Sequence, residues 1–358
     1  MQPRSISGMT VRRIGRLGVV VIVLAASMVL SAPSYACACG AAVAPDGAQA
    51  TMNNEVALVH WDGTTENILM RVAMNAATDN VALVVPTPAP ATVAVGDKAA
   101  FMELDELTAP QIQHQRRWTL GIGIGDPAPR EGAVAARPPE VVNQVRLGPL
   151  EATTLAGGDL AGLQKWLADN GYSIRPAVSD ALNPYVREGW AFVAMRLTSD
   201  APIVGGLNPV RLTFQSPRLV YPMRLSVAAP DPQHVIIYTL SDHRQQRTDA
   251  DAAVQNTKVE FAGNVVAAVR DPLLREWVGN HGPYLTKTQV DILQTSRISS
   301  DFTFGNAPND NAYRQVHIVY DNIEIPVVLV VFAGLVVIAI AATVIFVTVL
   351  RLGRRRGA

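Results

Sequence analysis

The sequence predicts an α+β fold, mainly antiparallel strands with a few short helices, set between a cleaved leader and one C-terminal transmembrane helix. Three observations predict it. Short apolar or alternating runs recur between Gly, Pro, Asn and Asp turn signals. Helix signals are few and short, mostly opened by an Asp or a Pro. Two uncharged apolar runs stand apart near the ends of the chain.

The second of these, Ile325 to Leu350, has no charged residue. At about 1.5 Å per residue its roughly 26 residues make a helix of about 39 Å, enough to cross a ~30 Å hydrocarbon core. Arg351, Arg354, Arg355 and Arg356 follow without an acid among them, and Arg-rich flanks stay on the cytoplasmic side. A core helix would not require such an exit. A sortase signal would need a motif that Asn322-Ile323-Glu324-Ile325-Pro326 does not supply.

Residues 1–36 have the layout of a secretory signal peptide. Arg4, Arg12, Arg13 and Arg16 precede the apolar Leu17–Leu30, and Ser34-Tyr35-Ala36 offers small residues before a cut between Ala36 and Cys37. An uncleaved signal anchor is the alternative. Both ends then agree on a single-pass protein of the cell membrane. Residues 37–324 form the extracytoplasmic domain, 325–350 the span and 351–358 a cytoplasmic tail.

Within that domain, strands are expected at Glu55–Trp61, Asn67–Ala76 and Val81–Pro86, the first two separated by Asp62-Gly63. Asp97 caps a short helix carrying Phe101, Leu104 and Leu107. Gln111–Leu120 reads as a strand, residues 126–140 as an exposed Pro/Gly/Ala loop or a boundary between two lobes, and Val141–Leu155 as one or two strands. Asp159 opens a helix with Leu160, Leu163, Trp166 and Leu167 on one face, closed by Asn170-Gly171. Pro176–Glu188 reads as helix restarted at Asn183-Pro184. Strands follow at Trp190–Leu197, Val210–Gln215, Tyr221–Ala228 and Val235–Leu240. Their short intervals imply antiparallel neighbours. Asp271-Pro272 opens another helix, and Asp301–Phe304 is a last short strand. The triplets at 55–86 and 210–240 share a rhythm that suggests a duplicated module.

The chain is formally neutral, but eight of its 30 Lys and Arg lie in the leader and tail, which leaves the exterior domain 22 bases against 30 acids. That disfavours nucleic acid, whose binding depends on neutralising phosphates, and any broad face for anionic lipid. The two cysteines form Cys37-Ala38-Cys39. Three readings stay open: a strained or intermolecular disulfide in an oxidising compartment, lipidation of Cys37, and a thiolate metal or redox site.

Chemistry-bearing motifs are sparse. There is no Gly-x-Ser-x-Gly and no His-Glu-x-x-His, and the six histidines are isolated in sequence. His60 and His317 fall in strand-like stretches; His114, His234, His243 and His281 fall in or near turns. Asp242-His243 is two-thirds of a triad only if a distant serine joins it. Asp249-Ala250-Asp251 and Asn309-Asp310-Asn311 lack a full calcium loop. Glu103, Asp105 and Glu106 read as a solvated helix face. No cofactor is implied.

Leu163-Gln164-Lys165-Trp166-Leu167-Ala168-Asp169-Asn170-Gly171-Tyr172, Leu182-Asn183-Pro184-Tyr185, Gly189-Trp190-Ala191-Phe192-Val193 and Tyr221-Pro222-Met223-Arg224-Leu225 together resemble the bacterial DUF2330 family, a domain of unknown function. The leader, the Val84-Val85-Pro86-Thr87-Pro88 strand end and the terminal anchor also fit it. The resemblance rests on turn, cap and core residues, so it implies a fold and no catalytic role. The expectation is an envelope interaction or structural module with a protein or polymer partner. The competing readings are an envelope hydrolase assembled from distant residues and a redox or metal-handling role at Cys37 and Cys39.

Overall fold

The computed structural model describes residues 41–43, 50–51, 54–72, 75–76, 80–121, 150–155, 160–172, 174–198 and 208–355. In chain order the first elements are β1 (Ala41–Val43), β2 (Ala50–Thr51), β3 (Asn54–Trp61), β4 (Thr65–Val72), β5 (Asn75–Ala76), β6 (Asn80–Thr87), β7 (Thr92–Val95) and α1 (Lys98–Leu107). Next come β8 (Gln111–Gly121), β9 (Leu150–Leu155), α2 (Leu160–Asp169), α3 (Pro176–Arg187), β10 (Ala191–Thr198), β11 (Val210–Gln215) and β12 (Val220–Tyr221). A 3-10 turn (Arg224–Ala228) leads to β13 (Gln233–Ser241), β14 (Gln245–Arg247), β15 (Asn256–Asn264), α4 (Pro272–Gly279) and β16 (Tyr284–Ile292). The chain ends in β17 (Phe302–Asn306), β18 (Tyr313–Arg314), β19 (Val316–Pro326) and α5 (Val327–Arg355). The fold is α+β with mostly antiparallel strands, as the sequence predicts.

Two compact units form: Met1–Thr108 with Leu147–Tyr313, and Ala109–Arg146 with Arg314–Ala358. In the first, eight strands run in the order β18-β15-β16-β13-β3-β4-β11-β7, and four more in the order β1-β6-β10-β9. Ala57, Val59, Ile68, Met70, Leu212 and Phe214 of the larger sheet pack with Leu83, Val85, Val193 and Met195 of the smaller. The far face of the smaller sheet, Ala82, Val84, Phe192 and Ala194, meets Leu163, Leu167, Leu182 and Tyr185 of α2 and α3. The far face of the larger sheet, Val56, Leu58, Leu69, Tyr238 and Leu240, meets Phe101 and Leu104 of α1 and Leu274 and Trp277 of α4. Strands buried on both faces need apolar residues at consecutive positions, which explains the unbroken run in β6.

Capping follows the local chemistry. Asp97 accepts from Ala99 N at 2.9 Å, and Asp271 accepts from Leu274 N at 3.0 Å ahead of Pro272. Gly171 at φ +81 closes α2, where Tyr172 N donates to Leu167 O at 2.8 Å.

Four expectations are corrected. α3 is one helix through Pro184, because its buried face of Val178, Ala181, Leu182 and Tyr185 continues across the proline. Tyr221–Ala228 is a two-residue strand and a 3-10 turn. Pro222 cannot donate to a ladder, and the amides of Met223 and Arg224 go to Asp301 Oδ1 instead, at 2.7 and 3.0 Å. β10, β11 and β13 are not mutual neighbours: β10 pairs with β6 and β9, β11 with β4 and β7, and β13 lies parallel to β3. The two triplets therefore have different topologies, which removes the duplication. β15, β16 and β19 were not expected as strands. In β16 the buried positions include Thr286 and Thr288, so burial is not written in hydrophobicity.

In the second unit β8 and β19 form a two-stranded parallel ribbon, registered from Val316↔Gln111 to Pro326↔Gly121. α5 begins at Val327, two residues later than the apolar run, because Ile325 and Pro326 are held in that ladder. Its apolar stretch, Val327–Leu350, is 24 residues long and none of it is buried. The hydroxyls of Thr343 and Thr348 donate to Ala339 O and Val344 O, one turn back, so neither needs water.

Candidate functional site

His60 lies near the end of β3, fully buried. β3 and β13 run parallel, with His60 opposite Leu240, and Leu240 is opposite Leu285 of β16. The turns that follow β3 and β13 and the turn that precedes β16 therefore gather at one end of the sheet.

The His60 ring stacks on Trp277 of α4, centroids 5.4 Å apart and planes 13° from parallel. Its Nε2–H donates to the Asn280 carbonyl. That leaves Nδ1 as an acceptor, 3.5 Å from Asn67 Nδ2. Burial pushes the His60 pKa down, so the ring is neutral at pH 7. Asn67 Oδ1 accepts from Thr213 Oγ1 at 2.8 Å and Arg211 Nη2 at 3.2 Å. His60, Asn67 and Thr213 are side by side in register across β3, β4 and β11. The Arg211 guanidinium sits 5.2 Å from the Trp277 ring centroid and 3.9 Å from Glu276 Oε1. A buried neutral imidazole thus connects through one amide to a partly exposed cation.

Around this row lies a rim of carboxylates and imidazoles. Asp62 Oδ1 accepts from Thr64 N, Thr65 N and Thr64 Oγ1 at 3.0, 2.7 and 3.0 Å. Burial works against its charge, but these hydrogen bonds outweigh it and hold the carboxyl below its usual range. His281, at φ +60, pairs Nδ1 with Asp242 Oδ2 at 2.8 Å. His243 Nδ1 pairs with Asp310 Oδ2 at 2.8 Å, and this bond raises the pKa of the exposed imidazole. The neighbours Asp242 and His243 are therefore split between two partners and form no dyad. With His234–Asp291 at 2.5 Å and, in the second unit, His114–Asp321 at 3.2 Å, four of the six histidines face an aspartate. His234 and His114 lie on strands, not at turns.

Other polar clusters are consumed by the fold. Arg247 holds Asp249 through two bonds, at 2.6 and 3.0 Å, with both side chains 1% exposed. Asp251 accepts from Ser299 N, Ser299 Oγ and Ser300 N at 2.9, 2.6 and 3.1 Å. These bonds tie the turn at 249–251 to Ser299 and Ser300. Among the described residues no three of His, Cys, Asp and Glu converge as a metal site. Glu103 is not solvated: it is buried and accepts from Arg270 N and Asp271 N, both at 2.6 Å, pinning the start of α4.

A second hub joins residues far apart in the sequence. Asp301 Oδ1 accepts from Tyr185 Oη at 2.5 Å, and Asp301 Oδ2 from Arg224 Nε at 2.7 Å. Arg224 forks onto Glu188 at 2.5 and 2.7 Å and lies 4.3 Å from the Tyr185 ring centroid. Burial, then the Asp301 charge, pushes the Tyr185 pKa well up, so it stays a donor. A cleft of about 410 Å³ opens beside Arg224, with Asp180, Pro184 and Ser299 among its walls. The one available signal was Tyr185 on the apolar face of α3.

Ala36, Cys37, Cys39 and Arg356 lie outside the described residues; Arg351, Arg354 and Arg355 fall in the last turns of α5. A family model described as an uncharacterized protein conserved in bacteria (DUF2330) matches residues 33–305. No curated protein matches. Among solved structures, baculovirus P35 is similar at 8% identity over 70% of this chain and 98% of that one, with a TM-score of 0.35. A chain of the caspase-8/P35 complex is similar at 6% identity over 75% and 97%, with a TM-score of 0.27. Likeness at these scores carries no argument.

Proposed function

The chain belongs to the bacterial DUF2330 family, and on that footing we propose that it is a single-pass envelope protein whose α+β domain works outside the cytoplasm as an interaction or structural module. One observation carries this reading: Val327–Leu350 is 24 residues of apolar helix, none of it buried among the described residues. A helix that is apolar all round and covered by no protein is stable only in a lipid environment. The leader arginines and the Arg351–Arg356 tail support the orientation with the domain outside. The acidic balance of residues 37–324 supports a protein or neutral polymer as partner, and disfavours nucleic acid.

The rim around His60 is the face best suited to such a partner. Asp62, Asp242, His243, His281 and Asp310 bring charge and donors to one sheet end, on turns held by their own hydrogen bonds. Among the described residues each imidazole meets a carboxylate, an amide or a carbonyl and none meets a hydroxyl, which favours recognition over nucleophilic chemistry.

The test is crosslinking of the full chain in intact envelopes, followed by affinity capture. One dominant partner, lost when Asp242 and Asp310 are both replaced by Ala, supports the module reading. Release of the protein by alkaline carbonate, or a reporter after Ala358 proving external, overturns it.

A further inference from the structure

We infer that the cleft beside Arg224 is a binding site for a small organic cation, an ammonium group on a short aliphatic body. The cleft shares no residue with the His60 rim.

One wall is a face of α3. Ala177, Asp180, Ala181 and Pro184 stand three or four residues apart and so lie together on the helix surface. Val227 and Ala228 of the 3-10 turn and the buried Ile298 complete the apolar lining. Three alanines and a proline make the room. At about 410 Å³ the cleft is within the ~300–1,000 Å³ of small-molecule sites.

The polar groups of the walls set the sign of the occupant. Arg224 is the cation of the cleft, and each of its guanidinium nitrogens already faces a carboxylate: Nε faces Asp301 Oδ2 at 2.7 Å, and Nη1 and Nη2 face Glu188 at 2.5 and 2.7 Å. The Ser299 hydroxyl donates to Asp251 Oδ1 at 2.6 Å. Asp180 is the reverse. It is exposed, and among the described residues its carboxylate meets no cation and no hydrogen-bond donor. Pro184, four residues on, has no N–H, so the Asp180 carbonyl lacks its helical donor on the same face. An anion would find Arg224 already matched and Asp180 repelling it. A neutral apolar body would leave both Asp180 acceptors unanswered. An alkylammonium answers both, while its methylenes cover Ala177, Val227 and Ile298. A bare metal ion does not fit, because calcium takes about 6–8 oxygen ligands and among the described residues no three acidic, histidine or cysteine side chains converge.

The full chain, methyl-labelled at isoleucine, is placed in phosphatidylcholine nanodiscs and titrated with pentylammonium. The Ile298 methyl signal, assigned through Ile298→Val, should shift and saturate. Pentanol, the neutral analogue, should bind about tenfold more weakly, and so should pentylammonium to Asp180→Asn, since each removes a charge-assisted hydrogen bond. Ala177→Trp should abolish the shift by filling the cleft. Ala177 and Asp180 are both exposed, so these variants spare the core, and unchanged unfolding midpoints check that. Equal affinity for pentylammonium and pentanol, equal affinity of wild type and Asp180→Asn, or no saturable shift at all overturns the cation site. Tighter binding of an acetylated, amidated lysine tripeptide than of pentylammonium assigns the cleft to a lysine of a partner protein and overturns the small-molecule occupant.

Discussion

The imidazole of His60 and the indole of Trp277 lie face to face, 5.4 Å between centroids, and join β3 to α4 across more than half of the chain. The histidine is neutral because it is buried, and that has a consequence for stability. The unfolded chain takes up its proton near pH 6.5, while the folded ring does so lower, since burial outweighs the Asn280 carbonyl bond. The unfolded state thus binds more protons below about pH 6.5. Stability is full above that pH and falls toward the folded pKa, by at most about 1.4 kcal/mol per pH unit. Urea unfolding of the wild type between pH 7 and 5.5 should show this slope, and His60→Gln should lose it. An unchanged slope in the variant would assign the effect elsewhere.

Glu66 works in the opposite direction. It is fully buried on β4, accepts from Val220 N at 3.1 Å, and burial drives its pKa well above the carboxylate range. The unfolded carboxyl ionises near pH 4.5, the folded one much later, so stability falls as pH rises between those values, by about 1.4 kcal/mol per unit. Glu66→Gln keeps the acceptor and cannot ionise. It should be more stable than the wild type at pH 8 and close to it at pH 4.5. A variant less stable at both would refute a neutral Glu66.

Breaking the Asp301 hub should be costly. Asp301→Asn removes the charge that faces Arg224, whose side chain is 15% exposed. The loss should be about 2 kcal/mol, since Tyr185 and Arg224 lose a charged acceptor while Glu188 still pairs the cation. Glu188→Gln removes the outer partner, 46% exposed, and should cost less than about 1 kcal/mol. Unfolding midpoints at constant m separate the two.

Pro184 tests the continuity of α3. Inside a helix it removes a hydrogen bond to the Asp180 carbonyl, so Pro184→Ala should stabilise the protein by about 1 kcal/mol or more. Had the helix restarted at Asn183-Pro184, the proline would stand at a favoured first position and the same change would destabilise.

Asp97, Asp271, Pro272, Gly171 and the apolar run at 325–350 were legible because each acts within a few residues of itself. A cap bonds two or three residues away, and a span is a matter of length and hydropathy. Val81–Pro86 was legible as a strand for the same reason. Its two buried faces, one against α2 and α3 and one against the larger sheet, were not.

By itself the sequence determined the α+β class, the caps at Asp97, Asp271 and Gly171, the family and the uncharged helix before Arg351. Only the tertiary structure decided that β13 runs parallel to β3, that Tyr185 finds Asp301 116 residues away, and that Asp242 and His243 turn to different partners. It also decided that His60, one of six histidines without a local motif, becomes the neutral center of a polar row. The reason is range. Backbone caps and apolar periodicity are settled by near neighbours, whereas strand order, burial of a polar group and the pKa that follows from it are settled by whichever distant segments the packed core brings together.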